Sequence, residues 1–252
     1  MTGPNLEMAR VGVDMLYNES AVTPSCSTQV SAKSVWLHIR KAQMRVASIG
    51  KCASCGVKID KADMKSHIIT CAKTTEFKGK AEKIIQLFIE AEELPEYWVY
   101  LEGNEQATFQ ELDGYLRHIW LECCDHLSGF FEMRNQIPKG TRLVEYFAKP
   151  GMVFKYKYDF ETTTELLGKS INLRKGSIGK QTIRLLARNE PLKLACSECK
   201  KPAEYVCPFC IDVMPTLFCA AHAEKHKCGV EETYLPVVNS PRMGICKYTG
   251  GV

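Results

Sequence analysis

One stretch constrains this chain more than any other: Cys196 to Cys228, which reads CSECKKPAEYVCPFCIDVMPTLFCAAHAEKHKC. Six cysteines and two histidines fall within 33 residues, in paired order: Cys196 and Cys199, Cys207 and Cys210, Cys219 and His222, His226 and Cys228. A Zn²⁺ ion takes four such donors in a tetrahedron, and a C-x-x-C pair reaches one ion from a tight turn. Eight donors therefore make two sites. The last four occupy only ten residues, so wrapping them around a single ion would strain the backbone. A crossed pairing is expected instead: Cys196, Cys199, Cys219 and His222 on one ion, Cys207, Cys210, His226 and Cys228 on the other. The competing reading is a set of buried free thiols.

A second motif precedes it. Cys52-x2-Cys55 is followed after eleven residues by His67-x3-Cys71, close to the spacing of a ββα finger with the last His replaced by Cys. The spacing predicts a knuckle followed by a short helix. Asp60 stands where it can cap that helix, and His67 and Cys71 share one face at i, i+4. So small a unit has almost no core, and a metal would supply its folding energy. Three structural zinc ions are expected in all.

The order of donors in the later stretch resembles the B-box and AN1 class of cross-braced zinc fingers. That resemblance implies the cross-brace and no particular activity.

Thirteen cysteines would suit a secreted disulfide protein. Their pairing with His, and the lack of a signal-peptide pattern, point instead to thiolates in a reducing cytosol, so a cytoplasmic setting is expected. No apolar run approaches the ~18 residues of a membrane span. Net charge is only +4, but it is unevenly spread. Residues 81–131 hold two basic and eleven acidic side chains, residues 133–201 fifteen basic and six acidic. Either the basic half faces an anionic partner or the two halves neutralise one another in the fold.

Taken in order, residues 1–43 lack any period and read as a disordered extension, with Met44 as a candidate alternative start. Residues 44–80 carry the first finger and 81–190 an α+β core. Residues 191–230 carry the double zinc unit, and 231–252 an extended carboxyl-terminal tail in which Cys246 has no spaced partner. Within the core, Ile84–Ile89 and Tyr97–Leu101 are strand-like. Thr108 and Glu111 form a capping box that opens a helix over 108–124. Phe109, Leu112, Tyr115, Leu116, Ile119 and Trp120 recur along it at helical spacing as one buried stripe. Phe154, Tyr156, Tyr158 and Phe160 alternate on one strand face. Arg174–Lys180 reads as a solvated hairpin loop before a strand at Thr182–Leu186. The fold class is α+β, a mostly antiparallel sheet packed with one main helix and flanked by small zinc-finger modules.

The run ATFQELDGYLRHIWLECCDHLSGFF, closed by His126-Leu127-x-x-Phe130, resembles the plasmid pRi-type Orf-three-like family, as does the later Tyr158-Asp159-Phe160. The resemblance spans roughly residues 82–189. It implies a compact α+β domain of a kind associated with mobile elements as insertion-element passenger proteins, often with no assigned activity.

His118, Cys123, Cys124 and His126 lie near one another, but their spacing does not suit a shared helix face. They are expected to be core thiols and a structural histidine. The function expected is a zinc-stabilised, non-catalytic binding protein contacting nucleic acid, RNA or DNA. A protein-interaction adaptor built on the cross-brace stays open. So does an enzyme with His126, Asp159 and Glu161 in acid–base roles.

Overall fold

The computed structural model describes residues 48–71, 78–210, 216–227 and 234–251. The extension at 1–43, the candidate start at Met44, and Cys228 lie outside the described residues.

Among the described residues, nine strands form one sheet: β1 (Ile49–Cys52), β2 (Lys58–Asp60), β3 (Glu82–Ala91), β4 (Trp98–Gly103), β5 (Ser128–Glu132), β6 (Asn135–Ile137), β7 (Val153–Tyr158), β8 (Thr164–Gly176) and β9 (Ile183–Asn189). Their order is β2-β1-β9-β4-β3-β8-β7-β5-β6, and every paired neighbour is antiparallel. Strands β10 (Tyr205–Val206), β11 (Leu217–Phe218) and β12 (Leu235–Pro236) make a second small sheet. The α-helices among the described residues are α1 (Lys61–Thr70), α2 (Phe109–Leu116), α3 (Leu143–Tyr146) and α4 (Ala220–Ala223). The α+β class, mostly antiparallel, is what the molecule has.

Strand periodicity assigns the two sheet faces. Ile85, Leu87 and Ile89 of β3 and Val99 and Leu101 of β4 join the larger core, beneath Phe109, Leu112, Leu116 and Trp120 of the helical segment. Trp98 and Tyr100 point the other way, into a second core with Cys52, Met64 and Ile68. Every residue of β4 is buried, because helix covers one face and the amino-terminal metal motif the other.

Capping starts α2 as expected. Thr108 Oγ1 accepts from the N–H groups of Gln110 and Glu111, and Glu111 Oε2 accepts from Thr108 N–H at 2.9 Å. The helix does not run on as α to residue 124. It widens into a π-helical turn at Arg117–Leu121, and this brings the consecutive residues Trp120 and Leu121 both into the core. On β7, Phe154, Tyr156 and Tyr158 are buried as the alternation requires. Phe160 is 52% exposed, because the strand ends at Tyr158 and Asp159 turns the chain with φ 64°.

Several ion pairs join the acidic and basic halves. Glu102 is bound by Arg174 and Arg184, Asp113 by Lys139, and Glu92 by Lys155. Arg174, which the hairpin loop was expected to leave to solvent, is thereby tied to Glu102. Beyond β12 the chain forms consecutive turns and buries Ser240, Arg242, Met243, Ile245 and Tyr248, so it is not an extended tail.

Candidate metal centres

Four groups of Cys and His side chains have donor atoms within 4.8 Å of one another. Each can hold a metal ion.

The first is Cys52, Cys55, His67 and Cys71. Its knuckle is built by two backbone bonds: Gly56 N–H to Cys52 O at 2.9 Å and Cys52 N–H to Val57 O at 2.9 Å. The turn needs a left-handed residue after the second cysteine, and Gly56 supplies it with φ 79°. Asp60 occupies the N-cap position of α1, but its side chain makes no capping bond, contrary to expectation. The motif is not a free-standing satellite, since β1 pairs with β9 and makes the finger an extension of the main sheet. A β-bulge opposite Tyr100 and Leu101 leaves Leu186 unpaired with β4. Its carbonyl accepts instead from Ala53 N–H, inside the knuckle, at 2.8 Å.

Docking matters energetically. Cys52, Met64 and Ile68 are the finger's contribution to its core. At about 1.5–3 kcal/mol each, three such side chains fall far short of the roughly 1–2 kcal/mol per residue needed to order this backbone. The sheet contact supplies part of the rest, and an ion held by the four donors would add to it.

The second group is Cys196, Cys199, Cys219 and His222, and the third Cys207, Cys210 and His226. This is the crossed pairing, with the third group's fourth expected donor, Cys228, outside the described residues. The Cys196–Cys199 knuckle repeats the finger's geometry: Lys200 N–H bonds Cys196 O at 3.1 Å, Cys196 N–H bonds Lys201 O at 2.7 Å, and Lys200 takes φ 63° where the finger has Gly56. Burial pushes the Cys196 thiol up, but the N–H groups of Cys219, Cys199 and Glu198 and the neighbouring Cys199 side chain outweigh it and bring the thiol down to about 6. A thiol so placed is ready to ligate as thiolate near neutral pH. Val206, Leu217 and Leu235 of this unit join the same core as α2.

The fourth group is Cys123, Cys124, His126 and Cys246. It corrects the expected count, which becomes four clusters and not three. It also corrects the reading of Cys123, Cys124 and His126 as unrelated core groups. His118 is exposed and takes no part. Cys246, which has no partner at ligand spacing in the sequence, lies against the others: its Sγ is 3.2 Å from Cys124 Sγ and 3.2 Å from His126 Nε2. Local spacing could not reveal it, because the contact closes a separation of 120 residues. Cys246 is disulfide-bonded, so a metal ion here requires its sulfur reduced to the thiol.

No family model matches this chain, and no curated protein does. Among solved structures it is similar to a crystal structure of a protein of unknown function from Methanosarcina mazei Go1, at 17% identity. The match covers 42% of this chain and 69% of that one, with a TM-score of 0.36. At that score the likeness bears on neither fold nor function.

The acid–base candidates are only partly assembled. His126 Nε2 lies 3.5 Å from Asp159 Oδ2. Asp159 is buried and ion-paired with buried Arg242 at 2.5 Å. Burial raises its carboxyl, but Arg242 and the N–H groups of Glu161 and Thr162 outweigh that and hold it below the ordinary carboxylate value. Glu161 is exposed. Asp159 is thus occupied as a structural anchor.

A surface missed in the sequence lies on the finger's side of the sheet. The finger covers β9, β4 and β3 on that face, and a groove of about 1040 Å³ remains open beside it over β8, β7 and β5. Phe88, Tyr100 and Phe131 line it, with Met133 and Val153 at its exposed end. Four lysines edge it, Lys61, Lys65, Lys155 and Lys169, against two carboxylates, Asp60 and Glu90. Lys61 lies over the Phe88 ring at 5.5 Å. The signal in the sequence was the alternation of β7, whose outward residues Val153, Lys155 and Lys157 face this side.

Proposed function

We propose that this chain is a zinc-stabilised, non-catalytic protein that binds single-stranded nucleic acid, with RNA as the first candidate. The observation that carries the reading is the groove, in which the half-buried rings of Phe88 and Phe131 on an open sheet face stand between lysines from α1 and from β7 and β8. Bases stack on aromatic faces while cations track the backbone, and an antiparallel sheet is a natural platform for both.

Zn²⁺ suits the thiolate and imidazole donors better than hard cations do. In the two groups with four described donors that the motifs foretold, the protein supplies a full tetrahedral set, so no open position remains to activate water. The metal's role is structural: the finger site holds α1, and hence Lys61 and Lys65, at the groove's edge. The resemblance of residues 82–189 to the Orf-three-like family bears on the fold and names no activity or partner.

The test is binding of the zinc-loaded chain to a labelled single-stranded RNA of mixed sequence. Lys65→Glu with Lys169→Glu should weaken binding on the order of tenfold or more, since two phosphate contacts become repulsive. Phe131→Ala should weaken it roughly 5- to 150-fold, the loss of one stacked base. Unchanged affinity in both variants would remove the groove from the account and favour the adaptor reading.

A further inference from the structure

We propose that Cys123, Cys124, His126 and Cys246 form a fourth zinc site, which fastens the carboxyl-terminal segment to the core. The first support is an internal comparison. Zn–S bonds of about 2.3 Å in a tetrahedron set donor atoms about 3.5–3.8 Å apart. In the motif-based groups the separations are 3.3 Å for Cys55 and His67, 3.7 Å for Cys199 and Cys219, 3.5 Å for Cys196 and His222, and 3.1 Å for Cys210 and His226. In the fourth group they are 3.8 Å for Cys123 and Cys124, 3.0 Å for Cys124 and His126, and 3.2 Å for Cys246 with either Cys124 or His126. The fourth group is as well gathered as those with recognisable motifs.

The second support is convergence on one point. The sulfurs of Cys124 and Cys246 approach the same imidazole nitrogen, Nε2 of His126. Asp159 Oδ2 also lies 3.5 Å from that nitrogen, and one imidazole nitrogen, with one hydrogen or one lone pair, cannot serve all three neighbours. With Cys246 reduced, a cation among them would be ligated by both sulfurs and by the imidazole.

The third is the backbone. Asp125, Cys246 and Lys247 hold φ of 59°, 50° and 56°, left-handed values that residues other than glycine adopt only at a cost. They lie at the donors or beside them, where a bound ion would offset the strain. Beyond the donors, Arg242 Nη2 lies 3.7 Å from Cys123 Sγ. Its guanidinium, whose charge is paired with Asp159, can donate a hydrogen bond to that thiolate, as outer groups do at metal sites. Binding would release three protons, one from each thiol, and leave His126 neutral.

The experiment is native mass spectrometry of the full chain, expressed in Zn²⁺ and kept in reductant, with alkylation of a denatured sample to confirm that Cys246 is reduced. Four Zn²⁺ per chain are expected. Cys246→Ser and His126→Ala should each drop the count to three, and His126→Cys should restore four, since a four-thiolate set also holds Zn²⁺. Limited proteolysis should then release the segment after residue 234 in Cys246→Ser but not in His126→Cys. Three Zn²⁺ in the wild-type chain with Cys246 reduced would overturn this site alone. So would four that survive Cys246→Ser. No bound Zn²⁺ at all would overturn the zinc reading as a whole.

Discussion

Cys124 and Cys246 stand 122 residues apart in the chain, yet their sulfurs lie 3.2 Å apart. The contact sets the carboxyl-terminal segment against the end of the π-helical turn. Ser240 Oγ donates to Trp120 O at 2.6 Å, and Arg242 inserts between Asp159, Thr162 O at 2.6 Å and Thr164 Oγ1 at 3.2 Å. Arg242 is buried completely. Removing one partner of a buried pair strands the other's charge. Arg242→Ala should therefore cost about 3–5 kcal/mol in a denaturant melt. Arg242→Lys should recover only part of this, because an ammonium cannot reproduce the fork. A loss under about 1 kcal/mol, the range of exposed pairs, would show that this segment is not anchored as described.

The finger's seat depends on Gly50. A Cβ there would lie 2.0 Å from Trp98 Cη2 and 2.9 Å from Arg188 O. Gly50→Ala should destabilise the docked finger by about 1–3 kcal/mol. Hydrogen exchange should localise the change to β1, β2 and α1, with β3 and β8 unaffected. Chelation should give the same pattern in the finger more strongly, since it removes the metal's share. Equal loss of protection throughout the sheet would contradict a locally held finger.

Asp113 ties α2 to the sheet. Its carboxylate accepts from Ser128 Oγ at 2.6 Å, Tyr156 OH at 2.7 Å, Lys139 Nζ at 2.9 Å and Arg117 Nε at 3.1 Å. Burial raises its pKa, but the hydrogen bonds from Ser128, Lys139 and Tyr156 and the Arg117 charge outweigh this and lower it. A depressed carboxylate contributes stability that is fully present above its unfolded value, about 3.9, and is lost as pH falls through the lower folded value. Asp113→Asn should cost about 2–4 kcal/mol at neutral pH. The gap to wild type should hold steady down to about pH 5 and narrow below pH 4. Because both chains shed metal alike in acid, the difference isolates Asp113. A gap unchanged to pH 3 would contradict the assignment.

Local signals in the sequence carried a good part of this. The Thr108–Glu111 box and the alternation of Phe154, Tyr156 and Tyr158 are short-range patterns, and both are present in the molecule. The crossed arrangement of Cys196, Cys199, Cys219 and His222 followed from the strain of crowding donors. What could not be read was set by distant contacts. The widening at Arg117–Leu121 answers to a core that takes both Trp120 and Leu121. Strand β1 has four residues, too few for its period to announce pairing with β9. Cys246 has no neighbour at ligand spacing, so only the folded chain reveals its companions. Phe131 and Lys169 likewise share a groove only once β5, β7 and β8 lie side by side.

The most direct test of the central claim is the affinity of the zinc-loaded wild-type chain for labelled single-stranded RNA at two salt concentrations. Lys61 and Lys155 are paired with Glu90, Glu92 and Glu165, so Lys65 and Lys169 are counted as the phosphate contacts; at roughly −0.7 each they give a logarithmic slope of about −1.4, or roughly seven-fold weaker binding at ~200 mM than at ~50 mM salt. Micromolar or tighter binding at the lower concentration that falls by about this factor is the predicted result. No binding at ~50 mM salt, or an affinity that salt leaves unchanged, would contradict the nucleic-acid reading and turn the search to a protein partner.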